Sequence, residues 1–227
     1  MKKILSILAV STLALTSNAQ TNISVNAGIN SASTSINSSL TEMVGVQSIQ
    51  NATIGVQVDH RLDKNLSVTT GLTSKKKGFQ IGQSIGVDLF GMDLPIGAKV
   101  INTISYLEVP LMLKYNVTSL KGIEPYVGLG PSISYAREGT LDTKASAGFF
   151  DLNVTSTPLE LASNDYNRTQ VVGNVVGGVK IPYGVGNWLV EVGYSRSFTD
   201  LVSEDFIIDA GGKHTDLSFS VGYGISF

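Results

Sequence analysis

Residues 216–227 alternate without a break. Leu217, Phe219, Val221, Tyr223, Ile225 and Phe227 fall on one side, and Asp216, Ser218, Ser220, Gly222, Gly224 and Ser226 on the other. Successive side chains of a strand point to opposite faces, so this segment is a strand with one greasy face and one small, polar face. The pattern recurs upstream. Ile23–Asn30, Thr53–Arg61, Leu66–Thr73, Ser105–Asn116, Glu124–Arg137, Arg168–Ile181 and Trp188–Phe198 all read with period two. With the last segment they make eight predicted strands of roughly 8–14 residues, near the ~9–11 that cross a bilayer at a tilt.

The connections carry topology. Leu62–Asn65, Val117–Ile123 and Pro182–Asn187 are short, whereas Ser31–Ala52, Ser74–Ile104, Glu138–Asn167 and Thr199–Gly212 are long. Strict alternation of short and long links is the pattern of an outer-membrane barrel, with short periplasmic turns and long extracellular loops. A soluble domain seldom carries several structureless loops above about 12–15 residues. The expected fold is therefore all-β, an eight-stranded antiparallel up-and-down transmembrane β-barrel.

Facing follows from side-chain size. A soluble barrel turns its apolar side inward. Here the polar side is mostly Ser, Thr, Gly and Asn, small enough for a narrow interior. The apolar side ends in aromatics: Tyr115, Trp188 and Phe227 toward the periplasmic end, and Tyr135, Tyr194 and Phe198 toward the other. Aromatic girdles at both edges of an apolar band mark the two membrane interfaces. Charges turned inward need partners. Lys114 with Glu124, and Lys180 with Glu191, each flank one short turn on the polar side and are expected to pair in the interior, the alternative being solvation at the periplasmic mouth.

Export is expected from the N-terminus. Lys2 and Lys3, the apolar run Ile4–Leu15 and Ser17-Asn18-Ala19 form a signal peptide, residues 1–19, with the barrel domain at 20–227. The apolar run is too short for a spanning helix, which needs about 20 residues. Composition excludes other classes. With no cysteine there is no disulfide framework, thiolate metal site or cysteine nucleophile. With 16 Lys+Arg against 18 Asp+Glu there is no basic field for nucleic acid.

Candidate chemistry is sparse. His60 is expected to be exposed near a periplasmic turn. His214 stands at the outer end of the last strand, with Ser203, Asp205, Asp209 and Asp216 near it in sequence. A general base needs hydrogen-bond reach to its target and an orienting partner, which sequence proximity does not supply. His214 is read as loop-solvated, with a rim-site barrel enzyme as the alternative, and no catalytic, cofactor or metal residue is assigned. Gly128-Leu129-Gly130 lacks the following helix of a nucleotide site and reads as close packing in a barrel wall. Lys75-Lys76-Lys77 reads as a solvated cluster, or as a contact to anionic headgroups or a partner. The apolar segment Ile81–Ile101 reads as a loop that packs on itself or meets a partner.

Specific motifs add a resemblance. Gly71-Leu72 precedes Lys76-Lys77-Gly78, Tyr106-Leu107-Glu108-Val109-Pro110-Leu111-Met112-Leu113-Lys114-Tyr115 follows, and Pro125-Tyr126-Val127-Gly128-Leu129-Gly130-Pro131 comes after it. Val192-Gly193-Tyr194-Ser195-Arg196, Gly222-Tyr223 and terminal Phe227 complete the set. Together they resemble the PorT-like outer-membrane β-barrel family of gram-negative bacteria. The resemblance implies an outer-membrane location, dependence on the barrel-insertion machinery that reads a terminal aromatic, and, for some members, a link to type IX secretion. No site residues travel with it. The expectation is a monomeric, non-enzymatic barrel in a lipid bilayer with a structural or partner-binding role, its partner a secretion-system or envelope protein. A narrow porin-like channel is the alternative; open pores use about 16–18 strands.

Overall fold

The computed structural model describes residues 20–36, 46–89, 92–117, 122–147, 150–159, 161, 168–199 and 212–227. The expected signal peptide and its cleavage after Ala19 lie outside them. The described residues form nine strands: β1 Thr21–Ile36, β2 Val46–Arg61, β3 Leu66–Leu89, β4 Met92–Asn116, β5 Glu124–Ala147, β6 Phe150–Leu159, β7 Thr169–Tyr183, β8 Gly186–Ser197 and β9 Gly212–Ser226. All pairings are antiparallel.

Eight of the strands form a ring, in the order β1-β2-β3-β4-β5-β7-β8-β9 and back to β1. The first and last strands close it, from Asn22 opposite Ser226 to Ile36 opposite Gly212. The terminal residue is held by reciprocal backbone bonds, Thr21 N to Phe227 O at 3.2 Å and Phe227 N to Thr21 O at 2.8 Å. Closure leaves no unpaired edge in the wall, which a sheet spanning lipid requires.

The facing is that expected from sequence. Val25, Ile54, Leu72, Leu111, Leu129, Ile133, Val175 and Phe219 are exposed on the outside, Leu129 to 65%. The end aromatics Tyr115, Trp188, Phe227, Tyr135, Tyr194 and Phe198 are exposed with them. The interior is polar, with Asn22, Ser24, Asp59, Thr69, Glu108, Lys114, Ser132 and Asp216 all buried. Close packing in the wall accounts for the two glycines of Gly128-Leu129-Gly130. A Cβ on Gly130 would lie 2.2 Å from the carbonyl oxygen of Leu111, and one on Gly128 would lie 2.7 Å from the Lys114 side chain.

Three sequence expectations are corrected. The ring has eight strands, but a ninth, β6, pairs with β5 from Gly139–Leu159 to Ala147–Phe150, continuing the edge of β5 that β7 leaves after Tyr135. The connections expected over 74–104 and 138–167 are largely strand. β3 and β4 run on as a hairpin to Leu89 opposite Met92, so Ile81–Ile101 pairs with itself rather than forming a loop. The physical reason is that antiparallel backbone pairing carries these strands on past the lipid-facing band, so their length is not set by the bilayer. The link expected over 182–187 tightens to a turn at Gly184-Val185, with Gly184 in the left-handed region at φ 63°. β3, β4 and β5 therefore span 24, 25 and 24 residues, about twice what a bilayer needs.

Candidate functional site in the barrel lumen

Interior charges are stacked in two groups, one near the short turns and one at the opposite end. They pair across the lumen because an eight-strand ring is narrow enough for long side chains to reach the far wall. In the turn-end group, Lys180 on β7 bonds Asp59 on the diametrically opposite β2, and Asp59 also accepts the Thr69 hydroxyl at 2.6 Å. Lys114 on β4 meets Glu191 on β8 at 3.1 Å, and the Tyr126 hydroxyl donates to the same carboxylate at 3.0 Å. The Lys114 ammonium stands 4.7 Å from the Tyr126 ring centroid, a favourable cation–π distance. At the mouth, Arg61 meets Glu124 at 3.4 Å, each about one-third exposed.

The expected pairs were Lys114–Glu124 and Lys180–Glu191. All four groups do form ion pairs, but with other partners. Flanking a turn places two residues on neighbouring strands, whereas the ring brings opposite strands together. Glu124 lies at the mouth, closer to the solvated alternative, and the other three are inside.

The second group is built from β3, β4 and β9. Lys75 lies 3.1 Å from Glu108 and 3.4 Å from Asp216, and Lys77 lies 3.3 Å from Glu108. Glu108 also accepts Ser132 at 2.9 Å, and Asp216 accepts Asn30 at 2.9 Å and Ser195 at 3.3 Å. Two ammonium groups thus meet two carboxylates, each carboxylate further hydrogen-bonded. Such saturation is what makes buried charge tolerable, because an unpaired ion in this setting costs several kcal/mol. The lysine run is therefore not one solvated cluster. Alternation sends Lys75 and Lys77 inward, Lys77 to 1% exposure, and leaves Lys76 outside.

His214 is buried, not loop-solvated. Its Nε2 lies 3.4 Å from the Tyr106 hydroxyl, with the rings edge to face at 5.9 Å. Asp216 turns to Lys75, Asn30 and Ser195, and Ser203, Asp205 and Asp209 lie outside the described residues. The rim constellation is thus not assembled among the described residues. His60 is half-buried, with Nδ1 3.0 Å from the Thr21 hydroxyl, rather than exposed. Between the charged groups lies a cavity of about 90 Å³ lined by Asn26, Gln57, Thr73, Glu108, Asn174 and Ser218, and at the turn-end mouth another of about 100 Å³. Each has room for a few water molecules. Tyr106 and Tyr126 were missed as lumen residues, although they share strand parity with Glu108 and Gly128.

A polar-filled ring with an apolar exterior is what an outer-membrane barrel presents, and a family model described as "Outer membrane protein beta-barrel domain" matches residues 17–203. The chain belongs to this outer-membrane β-barrel family. Its place is the bacterial outer membrane. Among solved structures, the barrel is similar to OprG of Pseudomonas aeruginosa, at 12% identity over 92% of this chain and 96% of that one, TM-score 0.46. It is similar to Ail, the attachment invasion locus protein of Yersinia pestis, at 11% identity over 93% and 100%, TM-score 0.43. Neisserial surface protein A gives 14% identity over 88% and 95%, TM-score 0.41. At these scores the likenesses bear on no functional point. No curated protein is significantly similar to the chain.

Proposed function

We propose that this barrel is a non-enzymatic, non-conducting anchor that carries a β-sheet out of the membrane to meet another envelope component. The observation that carries the reading is the overshoot of β3, β4 and β5, each 24 or 25 residues long. A strand needs only about 9–11 residues to cross lipid at a tilt. The surplus sits on one side of the ring, where β6 adds to β5. The PorT-like motifs, Tyr106–Tyr115 above all, favour a partner from a secretion or envelope-assembly system, and the closed antiparallel ring favours insertion by the barrel-assembly machine. An exported precursor with a signal peptide at residues 1–19 and a monomeric mature barrel complete the reading.

The test is crosslinking in intact cells. The wild type should give a discrete crosslinked species. A variant with residues 79–101 replaced by a two-residue turn should insert with normal heat-modifiable mobility yet lose that species. If the truncated barrel keeps it, the overhanging sheet is not the contact.

A narrow channel is the second reading, favoured by the two interior cavities of about 90 and 100 Å³. Planar-bilayer recording separates the two. The charge groups across the lumen should hold conductance at the bare-membrane level, and Glu108→Ala should not open a selective pore. Discrete single-channel steps in the wild type would replace the anchor reading with the channel.

A further inference from the structure

The lumen changes character at the end away from the short turns. On the lumen-facing side, β5 passes from Ser132 and Ser134 to Ala136, and β4 from Glu108 to Tyr106 and Ile104. The ladders set these apolar residues level with one another: Tyr106 stands opposite Ala136, and Ile104 between Lys77 and Gly139. Ile104, Tyr106 and Ala136 are buried in one cluster with Leu161. Tyr106 carries the layer across the lumen, its hydroxyl meeting His214 on β9, four places round the ring. The Lys77 ammonium turns back to Glu108 and lies 5.4 Å from the Tyr106 ring centroid. Charge thus ends where this apolar layer begins.

Leu161 is the one member of the cluster that is not part of the wall. β6 pairs with β5 as far as Leu159 opposite Gly139, and the chain then doubles back, the Leu161 N–H donating to the Leu159 carbonyl at 3.0 Å. Gly139 keeps the seat clear: a Cβ there would lie 3.0 Å from Leu159 Cβ and 3.4 Å from Leu161 Cδ2. On the charged side of the layer, Ser134 and Gln170 stand opposite each other on β5 and β7, both fully buried. The Ser134 hydroxyl and both polar atoms of the Gln170 amide have no hydrogen-bond partner. In a mouth open to solvent such groups would bond to water. An apolar constriction offers water and ions no partner and stays dry. We infer that Leu161 is a stopper, held by β6 in the outer mouth of the barrel, and that water enters the lumen from the short-turn end. There Arg61 and Glu124 are about one-third exposed beside a cavity of about 100 Å³. This closure is separate from the ion pairs and stands whether or not the overhanging sheet meets a partner.

The chain has no cysteine, so a single introduced thiol reports access. Ser134→Cys lies behind the stopper, and Asn187→Cys lines the cavity at the short-turn mouth. The full mature barrel is held in phosphatidylcholine nanodiscs, which leave both ends in water, and is labelled with a cationic methanethiosulfonate. Intact-mass spectrometry gives the rate. Asn187→Cys should label fast with or without Leu161. Ser134→Cys should label slowly in the parent and at least about tenfold faster with Leu161→Gly, because truncating a buried leucine leaves a space that its surroundings only partly refill. Leu161→Met, which fills the seat again, should keep the slow rate. So should Leu152→Gly, at an exposed position of β6. Heat-modifiable mobility confirms that each variant is folded. Fast labelling of Ser134→Cys in the parent, or an unchanged slow rate with Leu161→Gly, would overturn the stopper. Equal acceleration by Leu152→Gly would trace the effect to a loosened β6 and overturn the role of Leu161. Labelling of Asn187→Cys as slow as that of Ser134→Cys would overturn entry from the short-turn end.

Discussion

Two lengths of the same wall obey different rules. Between the aromatic rows, β5 runs Val127, Leu129, Ile133, Tyr135 outward and Tyr126, Gly128, Ser132, Ser134 inward. Beyond Ala136 the same strand reads Arg137-Glu138-Gly139-Thr140-Leu141-Asp142-Thr143-Lys144, with no such division. The backbone ladder is continuous through both, since β4 pairs with β5 from Asn116–Tyr126 to Ile96–Ala147 with a shift only at Ser105/Tyr106. What changes is the medium. Alternation records a difference between two faces, and along β5 beyond Ala136 that record fades while the strand persists.

The largest effect should come from the membrane-level interior, where a charge has only the few waters of a small cavity beside it. Glu108 neutralises both Lys75 and Lys77 at 3.1 and 3.3 Å. Glu108→Ala leaves one carboxylate, Asp216, for two buried ammonium groups, and removing one partner of such a set costs about 3–5 kcal/mol. Urea unfolding in lipid vesicles should show the loss. The matching change in the overhang, Asp142→Ala, breaks only an exposed bond to Ser156 and should cost under about 0.5 kcal/mol. Similar losses at the two sites would mean that the interior group is hydrated, and the contrast between the two lengths would fail.

A somewhat smaller effect tests the outside. Val221 faces outward on β9 opposite Val190 and Ala27. Val221→Arg should cost about 2–4 kcal/mol at the bilayer midplane, whereas Thr155→Arg on exposed β6 should fall within about 0.5 kcal/mol of the parent. Refolding yield and urea midpoint in vesicles measure both. A tolerated arginine at 221 would place that face against something other than hydrocarbon.

The same distinction explains what could be read from sequence. The eight ring strands, their facing and the aromatic rows were legible, because lipid and a polar lumen impose opposite demands on adjacent residues. β6 was not, because the period-two run Phe150, Leu152, Val154 is short and gives way to Thr155-Ser156-Thr157-Pro158. The hairpin over 81–101 was legible in part. Ile81, Ile85, Val87 and Leu89 keep period two, and so do Leu94, Ile96, Ala98 and Val100, yet the even rhythm of short and long links argued for a loop. In the lumen, strand parity correctly turned Lys114, Lys180 and Glu191 inward. Their partners were hidden, because Asp59–Lys180 joins strands four places apart on the ring, a distance set by closure and shear rather than by any local spacing.

The smallest effect sharpens where interior becomes exterior. Arg61–Glu124 has the same chemistry as the pairs above it, but its members are about one-third exposed at the short-turn mouth. Solvent screens such a pair and side-chain entropy opposes it, so Glu124→Gln should cost about 0–1 kcal/mol. Salt should separate it from the interior pairs as well, since exposed charges are screened over about 8 Å at physiological ionic strength and buried ones much less. Raising the salt should erase the Glu124→Gln difference in urea midpoint and leave most of the Glu108→Ala difference in place. If both differences respond alike, bulk water reaches the inner group, and the charged residues line a passage rather than close one.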